Sequence, residues 1–249
     1  MEKTGPRMNT QSKHEMDTDN KHVTPVSCPS ALVEWGVAAQ AFEGCAESGD
    51  HYLVEAFPDG MLIAVADGLG HGPKAAAAGK AAIAALKGHA HQPVVQQFQH
   101  CHEKLRRTRG VVMSIASFNG LEETMTWLGV GNVKGVLLRA NGKAQSTHER
   151  LLPRGGVVGY QMPSLRPSSV SVARGDTLIF ATDGLRSVFT EDLNCSDPPQ
   201  QMAKHILAQH SRGTDDAMVL VARYVGSMLS DQRDSYSHWK TKDERKQFT

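Results

Sequence analysis

Met61-Leu-Ile-Ala-Val-Ala66 is an unbroken apolar run that stops at Asp67-Gly68 and is entered through Pro58-Asp59-Gly60. A second short run, His51–Phe57, precedes that turn. Proline presets φ and glycine accepts turn conformations, so the two runs read as an antiparallel hairpin closed between Phe57 and Gly60. Carried back along both strands, that register sets Asp50 directly opposite Asp67 at the open end. Opposed side chains on one face have Cβ atoms roughly 4.5–5.5 Å apart, and like charges there destabilise a sheet. A cation between them turns the penalty into a binding energy. The hairpin therefore constrains both the fold and its use.

The rest of the chain supports a sheet-rich domain. Ala31–Phe42 suits a first strand, and further strand-like runs fall at Val111–Phe118, Thr124–Val130, Val133–Leu138, near Val170–Ala173, at Thr177–Ala181 and at Ala217–Tyr224. Gly72–Ala90 is alanine-rich and reads as a tightly packed helix. Pro93–Arg107 carries an apolar stripe of Val94, Val95, Phe98 and Leu105 with basic residues in its last turn, which predicts a second helix. A third is predicted at Pro199–His210. Strands dominate and do not alternate regularly with helices. The expected class is α+β, an αββα sandwich of two antiparallel β-sheets flanked by helices. Residues 31–225 form the expected domain. Residues 1–30 and 226–249 are polar and read as a disordered extension and a tail, with Tyr236 and Trp239 leaving a docking role open.

Bulk properties narrow the function. A net charge of +1 gives no reason to expect nucleic acid or an anionic membrane as partner. Cys28, Cys45, Cys101 and Cys195 form no C-x-x-C pair, so neither a zinc site nor a disulfide framework is expected. No apolar run is long enough to span a bilayer, and the expected location is cytoplasmic.

Other acids repeat the placement of the first pair. Asp183 ends Leu-Ile-Phe-Ala-Thr and is followed by Gly184, while Asp215-Asp216 immediately precede Ala-Met-Val-Leu-Val-Ala. In antiparallel pairing the end of one strand lies beside the start of the next, so Asp183 and Asp215 are expected at one rim. A single Asp-Gly marks a turn and nothing more. Four acids in equivalent positions, two of them in matched register, argue for a cation site. Carboxylate oxygens and the Gly68 carbonyl are hard ligands, which select Mg²⁺ or Mn²⁺ over zinc or copper.

The glycine loop Asp67-Gly-Leu-Gly-His-Gly-Pro-Lys74 admits rival readings. A dinucleotide fingerprint needs a small residue where Pro73 stands, and a P-loop needs Gly-Lys-Ser/Thr, whereas Gly79-Lys80 precedes Ala81. Cys101 leads to Leu105-Arg106-Arg107 without the loop glycines of a thiol phosphatase. His71 reads as a loop histidine at the helix start, with a proton-donor role as the alternative. Arg109 reads as a partner for helix C-terminal carbonyls, with a contact to substrate phosphate as the alternative. Gly129, Gly131 and Asn132 read as a turn or bulge.

Taken in order, several stretches resemble the metal-dependent protein phosphatases related to protein phosphatase 2C, and within them the bacterial SpoIIE-type branch. These are Ser-Gly-Asp50, Val-Ala-Asp67-Gly-Leu-Gly-His-Gly72, Thr-Arg-Gly110, Gly-Val-Gly-Asn132, Ala-Thr-Asp183-Gly-Leu185 and Gly-Thr-Asp215-Asp-Ala217. The compact domain is similar to the RsbX-type phosphatases. The resemblance implies Ser/Thr phosphoprotein hydrolysis at a centre of two Mn²⁺ or Mg²⁺ ions. Asp67 would bridge the ions, the Gly68 carbonyl would hold one, and Asp183 and Asp215 the other. Asp50 would contribute directly or through water, and Asp216 is a second choice. The implied partner is a phosphorylated stressosome or anti-sigma-antagonist protein carrying a STAS domain. The alternative is a module of the same fold that binds a phosphoprotein without turnover. Many eukaryotic relatives have a histidine directly after Asp-Gly and a phosphate-binding arginine near the N-terminus. Leu69 stands in the first place here, and no arginine matches the second.

Overall fold

The computed structural model describes residues 32–140, 148–190 and 193–226; the two terminal segments, including Tyr236 and Trp239, lie outside them. In chain order the elements are β1 (Val33–Gln40), β2 (Asp50–Phe57), β3 (Gly60–Gly68), α1 (Pro73–Leu86), α2 (Val94–Leu105), β4 (Val111–Asn119) and β5 (Thr124–Val130). Then follow β6 (Lys134–Leu138), β7 (His148–Leu151), β8 (Ser168–Ser171), β9 (Thr177–Ala181), α3 (Pro199–His210) and β10 (Ala217–Tyr224).

Two five-stranded antiparallel sheets result, one ordered β1-β10-β9-β6-β7 and the other β2-β3-β4-β5-β8. The apolar run of β3 is continuous because both of its faces are covered. Ile63 and Val65 point into the layer between the sheets, with Phe118, Leu137, Phe180 and Leu220. Leu62, Ala64 and Ala66 point outward, beneath Ala78, Ala82 and Phe98 of α1 and α2. On the other flank Met202, Ala203 and Ile206 of α3 cover Ile179, Val219 and Val221. The αββα sandwich expected from the strand count is the fold observed.

Sequence reading and structure differ most at the far edge of the first sheet. β7, His148-Glu-Arg-Leu151, has no counterpart among the expected strands, and three of its four residues are exposed. An edge strand that buries one side chain carries no alternation to read. The strand expected near Val170–Ala173 is shifted to Ser168–Ser171 for the same reason.

Candidate functional site

The first hairpin has the register its turn dictates: Phe57 pairs with Gly60, and Asp50 pairs with Asp67. Asp67 closes β3 where Gly68 follows, and a Cβ added at Gly68 would collide with the carbonyl of Ala75 in α1. Glycine there lets the first turn of α1 press against the strand end. In the other sheet β9 and β10 pair antiparallel. That pairing carries Asp183, two residues beyond β9, and Asp215-Asp216, just before β10, to one end of the sheet.

Thr182 joins the two sheets at this end. Its hydroxyl donates to Asp50 Oδ2 at 2.8 Å and accepts from the Met218 N–H at 2.9 Å. Thr182→Val keeps the shape and removes both bonds, leaving a buried N–H and a buried carboxylate oxygen unpaired. The expected loss of stability in chemical denaturation is about 1–3 kcal/mol, with Thr182→Ser close to wild type. A valine variant as stable as the parent would contradict this linking role.

The remaining acids divide by what they touch. Asp216 is buried and its two oxygens accept from Phe42 N at 2.8 Å and Gly49 N at 2.7 Å, clamping both ends of the loop before β2. Asp183 Oδ2 accepts from Asn132 Nδ2 at 2.7 Å. Asp215 is exposed, and its Oδ1 caps the N–H of Asp216 at 2.8 Å. His71 lies 3.9 Å from the Cys45 sulfur and packs its ring against Phe42, both in the neighbouring loop. Asn132 and Thr182 are the two polar residues at the site whose part sequence reading missed. Both stand at strand ends on the same rim as the acids, and that placement was the available signal.

Electrostatics set the requirement of the site. Asp50 is only 3% exposed, and its Oδ1 has no hydrogen-bond partner. Burial, then repulsion from Asp216, Asp183 and Asp215, outweighs the Thr182 bond and raises its pKa to about 7. Burial and the neighbouring Asp50, Asp183, Asp215 and Asp216 raise Asp67 to about 9. Among the described residues none of these aspartates forms an ion pair. Lys134 acts on Asp183, but among the described residues no cation pairs with Asp50 or Asp67. A divalent, oxygen-seeking cation fits the rim: a buried carboxylate oxygen is orphaned, and every donor is hard. Among the described residues no three such side chains close into a ready-made ion cage.

The Stage II sporulation protein E (SpoIIE) family matches residues 58–225. The chain is 27% identical over 143 residues to phosphoserine phosphatase RsbX of Bacillus subtilis (strain 168), a match covering 57% of this chain and 70% of that protein. It also resembles a chain solved in work on the bacterial stressosome as a modular system controlling secondary messenger signalling. That likeness has a TM-score of 0.70 and 30% identity, over 78% of this chain and all of the other. A magnesium complex of RsbX superposes with a TM-score of 0.68 at 23% identity, covering 77% of this chain and 94% of its own, which shows a shared fold. With its family match extending over well more than half its length, this chain belongs to the SpoIIE family of metal-dependent, protein phosphatase 2C-like phosphatases.

Proposed function

We propose that the chain hydrolyses phosphoserine or phosphothreonine on a protein partner at a centre of two Mg²⁺ or Mn²⁺ ions held by this rim. The carrying observation is the Asp50–Asp67 pair, Asp50 buried and Asp67 partly buried, opposed across the hairpin with no ion-pair partner among the described residues. Asp67, the Gly68 carbonyl, Asp183 and Asp215 would hold the ions, with Asp50 reaching them directly or through water. Asp216 serves this centre chiefly by fixing the Phe42–Gly49 loop, since both its oxygens already receive backbone N–H groups. When bound, such ions neutralise phosphoryl oxygens and lower the pKa of water.

The chain's own residues do the positioning. Thr182 fixes the rotamer of Asp50, and Asn132 fixes that of Asp183. Gly68 lets the strand end and α1 approach where a side chain would strike the Ala75 carbonyl. Once their protons have left, the aspartates face the entering phosphate as anions, so the deprotonated rim needs cations to accept its substrate. The likeness to phosphoserine phosphatase RsbX and to a chain solved in stressosome work supports a phosphorylated stressosome partner; a STAS-domain or anti-sigma-antagonist protein in stress or sigma-factor signalling is the finer reading that the sequence resemblance implies.

The test is phosphate release from a phosphoserine protein of that class, with Mn²⁺ or Mg²⁺ and with excess EDTA. Metal-dependent release that EDTA abolishes is expected. Equal release in both arms would defeat the metal centre, and binding without release at saturating metal would make the chain a non-hydrolytic module.

A further inference from the structure

Arg109 has lost the partner that the sequence offered it. The last carbonyl of α2, Leu105 O, accepts from the Thr108 N–H and from the Thr108 hydroxyl, each at 2.8 Å. Thr108 Oγ1 in turn accepts from Gly110 N at 3.0 Å, so one threonine completes the helix end. The guanidinium is free to go elsewhere. It crosses to the glycine loop, where Nη1 donates to Leu69 O at 3.4 Å.

The ladder explains how it arrives there. β3 and β4 pair Asp67 with Val112 and Gly68 with Val111. The ladder continues past both strands with Leu69 N donating to Gly110 O at 3.2 Å. One step further, Arg109 faces Gly70. Gly110 has a φ of 79° and Gly70 a φ of 84°, left-handed conformations that glycine adopts without strain, so the chain turns at both points. A Cβ built at Gly70 would stand 2.8 Å from Arg109 Nη1, so the guanidinium takes the space a side chain would use. Leu69, its anchor, lies two residues from Asp67, roughly 7 Å of extended chain.

Among the described residues Arg109 is exposed, makes this single long hydrogen bond and joins no ion pair. A guanidinium presents five donors in a planar fork suited to phosphate oxygens. Held by one weak bond, most of that fork remains available for an anion entering the rim.

We propose that Arg109 binds the phosphoryl group of the substrate, gripping its non-bridging oxygens from the glycine-loop side. The assignment rests on the phosphatase reading above.

The test compares wild type with Arg109→Gln and Arg109→Lys in two assays. In the first, a phosphoserine peptide is hydrolysed with saturating Mn²⁺. Arg109→Gln is expected to raise KM, and the inhibition constant of orthophosphate, by about 10- to 100-fold. The fall in kcat should be smaller, and Arg109→Lys should recover part of the loss because it restores charge without the fork. The second assay needs no turnover: melting is followed with Mn²⁺ alone and then with added orthophosphate. The Mn²⁺ shift should survive Arg109→Gln, while the further orthophosphate shift should shrink.

Unchanged KM and orthophosphate response in Arg109→Gln would overturn the assignment. So would a loss of the Mn²⁺ shift together with the orthophosphate shift, since that would make Arg109 a structural prop. A wild-type chain that turns over no phosphoserine peptide would sink the phosphatase reading instead, and the orthophosphate melting shift would still decide whether Arg109 holds the anion.

Discussion

Asp67→Asn is expected to abolish turnover and, in the metal-free protein, to raise stability. The two effects have one cause. Asp67 sits where burial and four neighbouring carboxylates oppose its charge, holding its pKa near about 9. An asparagine of the same shape carries no charge to oppose, so the folded chain is relieved of that penalty. The sign follows from proton linkage. A raised folded pKa means the folded state takes up a proton the unfolded state lacks, so the aspartate's cost appears above about pH 4 and grows towards pH 9. The advantage of Asn should therefore be absent at pH 4 and largest at alkaline pH. For activity the change removes the carboxylate proposed to touch both ions, so the loss should exceed the ~10–100-fold typical of groups that only orient ligands. Denaturation of the metal-free variant at pH 5 and pH 8.5, beside phosphate release with Mn²⁺, checks both halves. An asparagine variant that is active, or is less stable than wild type at pH 8.5, would remove Asp67 from the centre of the site.

That trade between stability and function explains why so much of the rim was legible in the sequence. Charges that weaken a sheet stand out against apolar runs. Asp50, Asp67, Asp183 and Asp215-Asp216 are each fixed by the strand they start or end, and strands buried on both faces announce themselves as unbroken Val/Ile/Leu/Ala segments. The hairpin register could be worked out because its turn is short and its chemistry decisive. The supporting residues were not legible, because their partners are remote. Thr182 reaches Asp50 across 132 residues, and Asn132 reaches Asp183 across 51. No local pattern encodes such pairs. Arg109 failed differently. The rule that cations favour helix C-termini is sound, but the adjacent Thr108 satisfied the same carbonyl with shorter bonds. Local competition decided the outcome. β7 was missed because an exposed edge strand leaves neither an apolar run nor an alternation.

Protons and divalent cations should compete for this rim, and melting curves of the wild-type chain should show it. Asp50 and Asp67 have folded pKa values of about 7 and about 9, both above the ordinary carboxylate value. Between about pH 4 and those values the folded chain binds more protons than the unfolded one, so stability falls as pH rises. From pH 6 to pH 8.5 the metal-free protein should lose about 3–5 kcal/mol, or roughly 6–20 °C in melting temperature for a domain of this size. This runs opposite to acid denaturation, in which carboxylates paired with cations lose their stabilisation on protonation. A divalent ion supplies the charge that the protons had supplied, and it binds only the deprotonated carboxylates. Mg²⁺ or Mn²⁺ at a hundredfold excess over its Kd adds about 2.7 kcal/mol, roughly 5–10 °C. Because the protons must leave first, the gain at a fixed metal concentration should be larger at pH 8.5 than at pH 6. Asp67→Asn should flatten the metal-free slope and blunt the metal response together, since both arise from one partly buried carboxylate. A wild-type melting temperature that climbs from pH 6 to pH 8.5 without metal, or a metal shift that ignores pH, would mean that these carboxylates are not the groups the cations displace protons from.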